Sequence, residues 1–131
     1  MGYATRIDLE ERYGEEELAQ REAVLRPGAV ERALADADAE IDSYVGGRYA
    51  LPLSPVPVTI VRVACAVARY YLLGDSVTEQ ARKGYEDARA FLRDVQAGRA
   101  SLEGASELAG ATGGTTVEIA GSDRLFARDV R

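Results

Sequence analysis

Four carboxylates at alternate positions, Asp36, Asp38, Glu40 and Asp42, place acidic oxygens in the pattern that opens a calcium-binding loop. Such a loop also needs glycine at its sixth position and glutamate at its twelfth. Counted from Asp36, those positions hold Ile41 and Gly47. The run also lies in a stretch of helical periodicity, which sends alternate side chains to two faces. A solvated acidic helix face is the expectation. Glu15, Glu16 and Glu17 stand at a helix start, where negative charge suits the dipole, and need no metal to explain them. Cys65 lies among Val63, Ala64, Ala66 and Val67, and the chain has no histidine to activate a thiol. A packing role is expected for it. Gly110-Ala111-Thr112-Gly113-Gly114 lacks the lysine of a phosphate loop and follows no clear strand, so it reads as linker. Arg62 and Arg69 lie on one helical stripe and can hold an anion, but salt bridges to the acidic helix or to a neighbouring subunit suit them better. Tyr70 and Tyr71 point to different faces, one toward the core and one toward an interface. No catalytic residue, cofactor or metal is expected.

The elements that carry these residues belong to a small acidic chain. It has 131 residues, 47% of them hydrophobic, and a formal net charge of −6. That length fits one domain with a modest core. Basic residues are scattered among carboxylates, which disfavours tight binding to duplex nucleic acid. The single cysteine rules out an intrachain disulfide. Residues 1–6 show no signal-peptide apolar stretch, and Gly2 with Thr5 is a weak pattern for lipidation.

Thr5 suits a helix N-cap with Asp8 in the first turn, and Gly14 can end that helix. A second short helix is expected over Glu15–Gln20, before the break at Leu25-Arg26-Pro27-Gly28. Ala29–Val45 is a helix with Val30, Leu34, Ala37, Ile41 and Val45 on one face. Three prolines in Tyr49–Pro57 impose an extended elbow, and Tyr49, Leu51 and Leu53 are expected to pack it on the core. Val58–Leu73 is apolar on nearly every side, so it is read as buried on most faces. Its arginines and its length, short of the ~20 residues of a bilayer span, exclude a membrane helix. Thr78 caps a last helix running to about Ala97, with Ala81, Tyr85, Ala88, Leu92 and Val95 facing inward. Residues 104–116 read as flexible linker, and Thr116–Ile119 alternates like a short strand. The fold class is thus all-α: about five helices in a small orthogonal bundle over residues 1–102. Residues 103–131 form a Gly-rich linker and an extended arm with room for a short strand or hairpin.

Several blocks carry a resemblance. They are Tyr3-Ala4-Thr5, Asp8-Leu9, Arg12-Tyr13-Gly14, the run Ala33 to Tyr44, and Gly47-Arg48-Tyr49-Ala50-Leu51-Pro52-Leu53 with Pro55-Val56-Pro57. Downstream come Ala68-Arg69-Tyr70-Tyr71-Leu72, Tyr85-Glu86-Asp87-Ala88, Phe91-Leu92-Arg93-Asp94 with Gly98, and Arg124-Leu125-Phe126-Ala127-Arg128-Asp129. In this order and spacing the chain resembles the small structural proteins of Mu-like prophages, which are similar in fold to head–tail connectors of long-tailed phages. One departure is visible: many relatives carry a polar Asp/Gly-rich insertion where this chain has only Arg21–Gly28.

The resemblance implies a ring of about twelve copies, matching a cyclic portal. It implies docking on the portal protein, contact with a tail-completion or stopper protein, and passage of genomic DNA through the channel without specific binding. It implies no membrane, and a place at the head–tail interface of the virion after assembly in the host cytoplasm. Within that role the arm is the expected portal anchor. Val117 and Ile119 would fill pockets, Leu125 and Phe126 would form an apolar anchor, and Arg124 and Arg128 would pair with acidic groups. Arg62, Arg69, Tyr70 and Tyr71 are the expected subunit-interface residues. Two other classes fit the pattern less well: a different helical phage module, capsid accessory or regulatory, and an enzyme working through carboxylates alone.

Overall fold

Helix formation begins at Thr5 in the computed structural model, which describes residues 2–108. The Thr5 hydroxyl accepts from the Asp8 N–H, and the Asp8 carboxylate accepts from the Thr5 N–H. This reciprocal cap starts α1 (Arg6–Tyr13), and Gly14, at a positive φ, turns the chain into α2 (Glu15–Val24). The second helix runs further than the expected Gln20. Arg21, Glu22 and Ala23 favour helix, and Pro27 is the first residue that forbids it. Tertiary bonds also hold the extra turn: Arg21 Nε donates to the Leu72 carbonyl at 2.8 Å, and Glu22 pairs with Arg6 at 2.6 Å.

The next helix, α3 (Ala29–Val45), buries Val30, Leu34, Ala37, Ile41 and Val45, the predicted stripe. After the elbow, α4 (Val58–Leu73) lies between α3 and α5 (Glu79–Gln96) and also touches α1. Thr78 caps α5 by accepting from the Ala81 N–H at 3.1 Å. The five helices form a small all-α bundle, with no strand among the described residues.

The elbow differs from its reading at one residue. Tyr49 and Leu53 are buried, but Leu51 is 45% exposed and lies over Gly46 at the end of α3. The turn through Pro52 breaks the two-residue alternation that would have sent all three side chains inward. The linker reading also changes at its start. Residues 104–108 are seated on the elbow: the Ala50 N–H donates to Ser106 O and the Leu108 N–H to Arg48 O, both at 2.9 Å. The expected glycine cluster, strand patch and terminal anchor lie outside the described residues.

Covering α4 does not require a second subunit over most of its length. Ile60, Val63, Ala64, Cys65, Val67, Ala68, Leu72 and Leu73 are all buried within the chain. Ala64 and Ala68 are fully enclosed. Replacing either by Asp buries a carboxylate with no partner, which costs several kcal/mol, on the order of the stability of a whole domain. Circular dichroism should show Ala64→Asp unfolded at room temperature; a native-like melt would place Ala64 outside the core.

Candidate interaction surface

Of the four alternate carboxylates Asp36, Asp38, Glu40 and Asp42 on α3, three are engaged within the chain rather than forming a purely solvated face. Residues 38 and 42 are one turn apart and both turn to the N-terminal segment. Asp38 Oδ1 accepts from the Tyr3 N–H at 3.1 Å, and Asp42 Oδ1 accepts from the Tyr3 hydroxyl at 2.5 Å. That same hydroxyl oxygen accepts from the buried Leu53 N–H at 3.1 Å. Burial, reinforced by Asp42, pushes the Tyr3 hydroxyl up to about 12. Glu40 faces the other way. Its carboxylate accepts from the hydroxyls of Tyr71 and Tyr85, and burial with this hydrogen bonding raises the Tyr71 pKa. Only Asp36 of the run is left exposed. Among the described residues, no cluster of three or more metal-ligating side chains occurs.

The residues expected at a subunit interface have separate surroundings. Arg69 meets Glu17 of α2, with Nε–Oε2 at 2.9 Å and Nη2–Oε1 at 3.1 Å, and lies 4.3 Å from the centre of the Tyr13 ring. Its partner is therefore not the acidic helix, because that arginine faces α1 and α2. Arg62 is exposed and has no ion pair among the described residues. The two arginines do not converge on an anion. Tyr70 is half-buried and Tyr71 exposed, and their rings lie together rather than on separate faces. Tyr70 stacks on Tyr85 at 4.0 Å, and Tyr71 meets Tyr70 edge-on at 6.0 Å. The tyrosine of α5 draws both rings together. The portal-anchor positions Val117, Ile119, Arg124, Leu125, Phe126 and Arg128 lie outside the described residues.

Uncovered apolar surface is left near the two ends of α4. At its C-terminal end, an opening of about 500 Å³ is bounded by Val24, Leu25, Ala29, Ala33, Tyr71 and Leu72, with Arg26, Arg32 and Asp36 beside them. At its N-terminal end, one of about 440 Å³ is bounded by Pro55, Val56, Val58, Phe91 and Leu102. Val58 and Tyr71 are about 20 Å apart along the axis at the helical rise per residue. Sequence patterning missed Val24, Leu25 and Val58, since an apolar residue at a helix end reads as core until the packing is known.

A second hydroxyl fastens the chain near this N-terminal opening. The buried Leu102 N–H donates to the Tyr49 hydroxyl at 2.9 Å. Tyr49→Phe removes the acceptor and leaves that N–H unsatisfied, which should lower stability by about 1–3 kcal/mol. Urea unfolding measures this; an unchanged midpoint would remove the hydroxyl from that role. Cys65 is fully buried, and burial pushes its thiol up to about 11. It should stay inert to thiol reagents at neutral pH and react only as the chain unfolds; fast labelling under native conditions would show an open core.

A family profile described as Bacteriophage Mu, Gp36 matches residues 3–119. The Mu-like prophage FluMu protein gp36 of Haemophilus influenzae is 41% identical over 127 residues, covering 92% of this chain and 90% of that protein. Gene product J of Escherichia phage Mu is 38% identical over 108 residues, covering 76% of this chain and 74% of that protein. The chain belongs to the bacteriophage Mu Gp36 family.

Proposed function

We propose that this phage-family protein is a non-enzymatic head–tail connector subunit, assembled as a ring that docks on the portal and joins the DNA-filled head to the tail. The observation that carries this reading is the apolar surface left uncovered at two ends of one helix. Two unlike patches can match each other from copy to copy, and head-to-tail contact of that kind closes into a ring when the rotation permits. The resemblance to connector proteins supports the same reading and gives a ring of about twelve copies, matching the portal. The net charge of −6 is compatible with a channel that DNA traverses without sticking. No described helix is long and apolar enough to cross a membrane.

In this reading the residues beyond Leu108 reach the portal. Val117 and Ile119 add as a strand to its edge, Leu125 and Phe126 anchor in its apolar pockets, and Arg124 and Arg128 pair with acidic groups there. The opposite face of the ring receives a tail-completion or stopper protein. Each junction is individually weak and gains strength as many close together.

Cryo-electron microscopy of particles tests the ring. Density for this chain should form a closed ring at the portal vertex; scattered copies on the capsid would overturn the connector reading. Deleting residues after Leu108 tests the anchor. That cut keeps the Tyr49–Leu102 bond and the pairing of residues 106 and 108 with the elbow. The truncated chain should fold yet fail to join portal-bearing heads. Normal attachment would assign the joint to the helical domain.

A further inference from the structure

The two apolar ends of the domain differ in shape and in charge. At the C-terminal end of α2, Val24 is 71% exposed and Leu25 is 39% exposed. Leu25 is already in extended backbone, and the pair stands on the rim of the opening at that end, where its exposed side chains form a knob. The next residue, Arg26, is exposed. The opening at the start of α4 is a socket. Pro55, Val56, Val58, Phe91 and Leu102 wall it, and Val58 is 79% exposed. Glu103 stands on its rim and is also exposed. The chain at Gly104 lies near Pro55, which shapes that rim. Neither Arg26 nor Glu103 has an ion-pair partner among the described residues.

We infer that the Val24-Leu25-Arg26 knob of one copy seats in the Pro55–Val58 socket of a second copy, with Arg26 meeting Glu103. The inference rests on the ring reading and names the surfaces that would build the ring. Arg32 and Asp36 line the same opening as the knob, so with Arg26 that end carries two cations against one carboxylate and complements a socket flanked by Glu103, whereas knob on knob would bring like net charge together. The socket prefers the knob of another copy to its own because the two stand near opposite ends of the domain, so every copy presents one of each. Contact of this kind is head-to-tail and leaves a knob and a socket open at the ends of any unclosed chain. The apolar pair supplies burial, and the charges set the register.

Cross-linking of the full-length chain tests this, and captures a contact even when it is short-lived. Val24→Cys and Val58→Cys alter exposed positions, while the native Cys65 is buried. Mixing the two variants with a short bismaleimide should give a heterodimer far above the yield from Val24→Cys mixed with Glu86→Cys, an exposed site on α5. A chain carrying both Val24→Cys and Val58→Cys should give a ladder of multimers. Adding Arg26→Glu to the knob variant should cut the heterodimer several-fold, and Glu103→Arg on the socket variant should restore it. A yield equal to the Glu86→Cys control, or a predominant Val24→Cys homodimer, would overturn the assignment. The two readings fail separately. A ring in particles without the ladder would remove this contact and leave the connector reading intact. A ladder without a ring in particles would keep the contact and remove the connector.

Discussion

The burial of α4 is the constraint on which the rest of the molecule depends. Its middle is built from Val63, Ala64, Cys65, Val67 and Ala68, all enclosed. Small side chains let neighbouring backbones approach closely, and α3 answers with Ala33 and Ala37. Such an interface has little room for added atoms, because protein interiors are packed as densely as organic crystals. Once α3 and α5 have clasped this helix, α1 and α2 have one remaining place to lie, across its side. One face of α4 is enclosed along its middle, from Val63 to Ala68, and the covering falls away at its ends. Exposure of Val58, Tyr71 and the neighbouring Val24 follows from that geometry and not from any general surplus of apolar residues.

Two tyrosine hydroxyls fix what the helices leave loose. Tyr3 joins the N-terminal segment to α3 through Asp42 and to the elbow through the Leu53 N–H. Tyr49 joins the elbow to the segment after α5 through the Leu102 N–H. Both N–H groups are buried and lie in irregular backbone, where no helical carbonyl is available to them. Without a side-chain acceptor each would carry a desolvation penalty. The elbow is therefore the point where the beginning of the chain and the end of the helical domain are tied, and it places the start of the C-terminal arm beside α3's last turn.

Charge is distributed in the same economical way. Arg6 gathers Glu10, Glu22 and Glu31, and so holds α1, α2 and α3 together. The interaction with Glu22 keeps that carboxyl below its usual range. Arg69 serves α2 through Glu17, and Glu40 serves the tyrosines of α4 and α5. Carboxylates that look like a metal site in one dimension are, in three, acceptors for groups brought from elsewhere. What remains unpaired among the described residues, including Arg26, Arg62 and Glu103, lies on the outside, where it is available to a partner.

Most helix boundaries were legible in the sequence because their causes are local; the end of α2, four residues past the expected Gln20, was the exception. Thr5 with Asp8, Gly14, Pro27-Gly28, Gly46 and Thr78 each act within a turn of the backbone they start or stop, and the stripe from Val30 to Val45 is set by helical periodicity alone. The reading of Cys65 as packing followed equally from its apolar neighbours. Side-chain partners were not legible. Tyr3 and Asp42 are 39 residues apart, Tyr49 and Leu102 are 53, and Arg69 and Glu17 are 52. Nothing within a turn of any of them specifies the other. The same limit hid the knob and the socket: Val24 and Val58 are apolar residues at helix ends, and only the packing of α1–α5 decided that they stay uncovered. Local chemistry determines where the backbone turns, while contact between distant residues depends on how the finished helices cross.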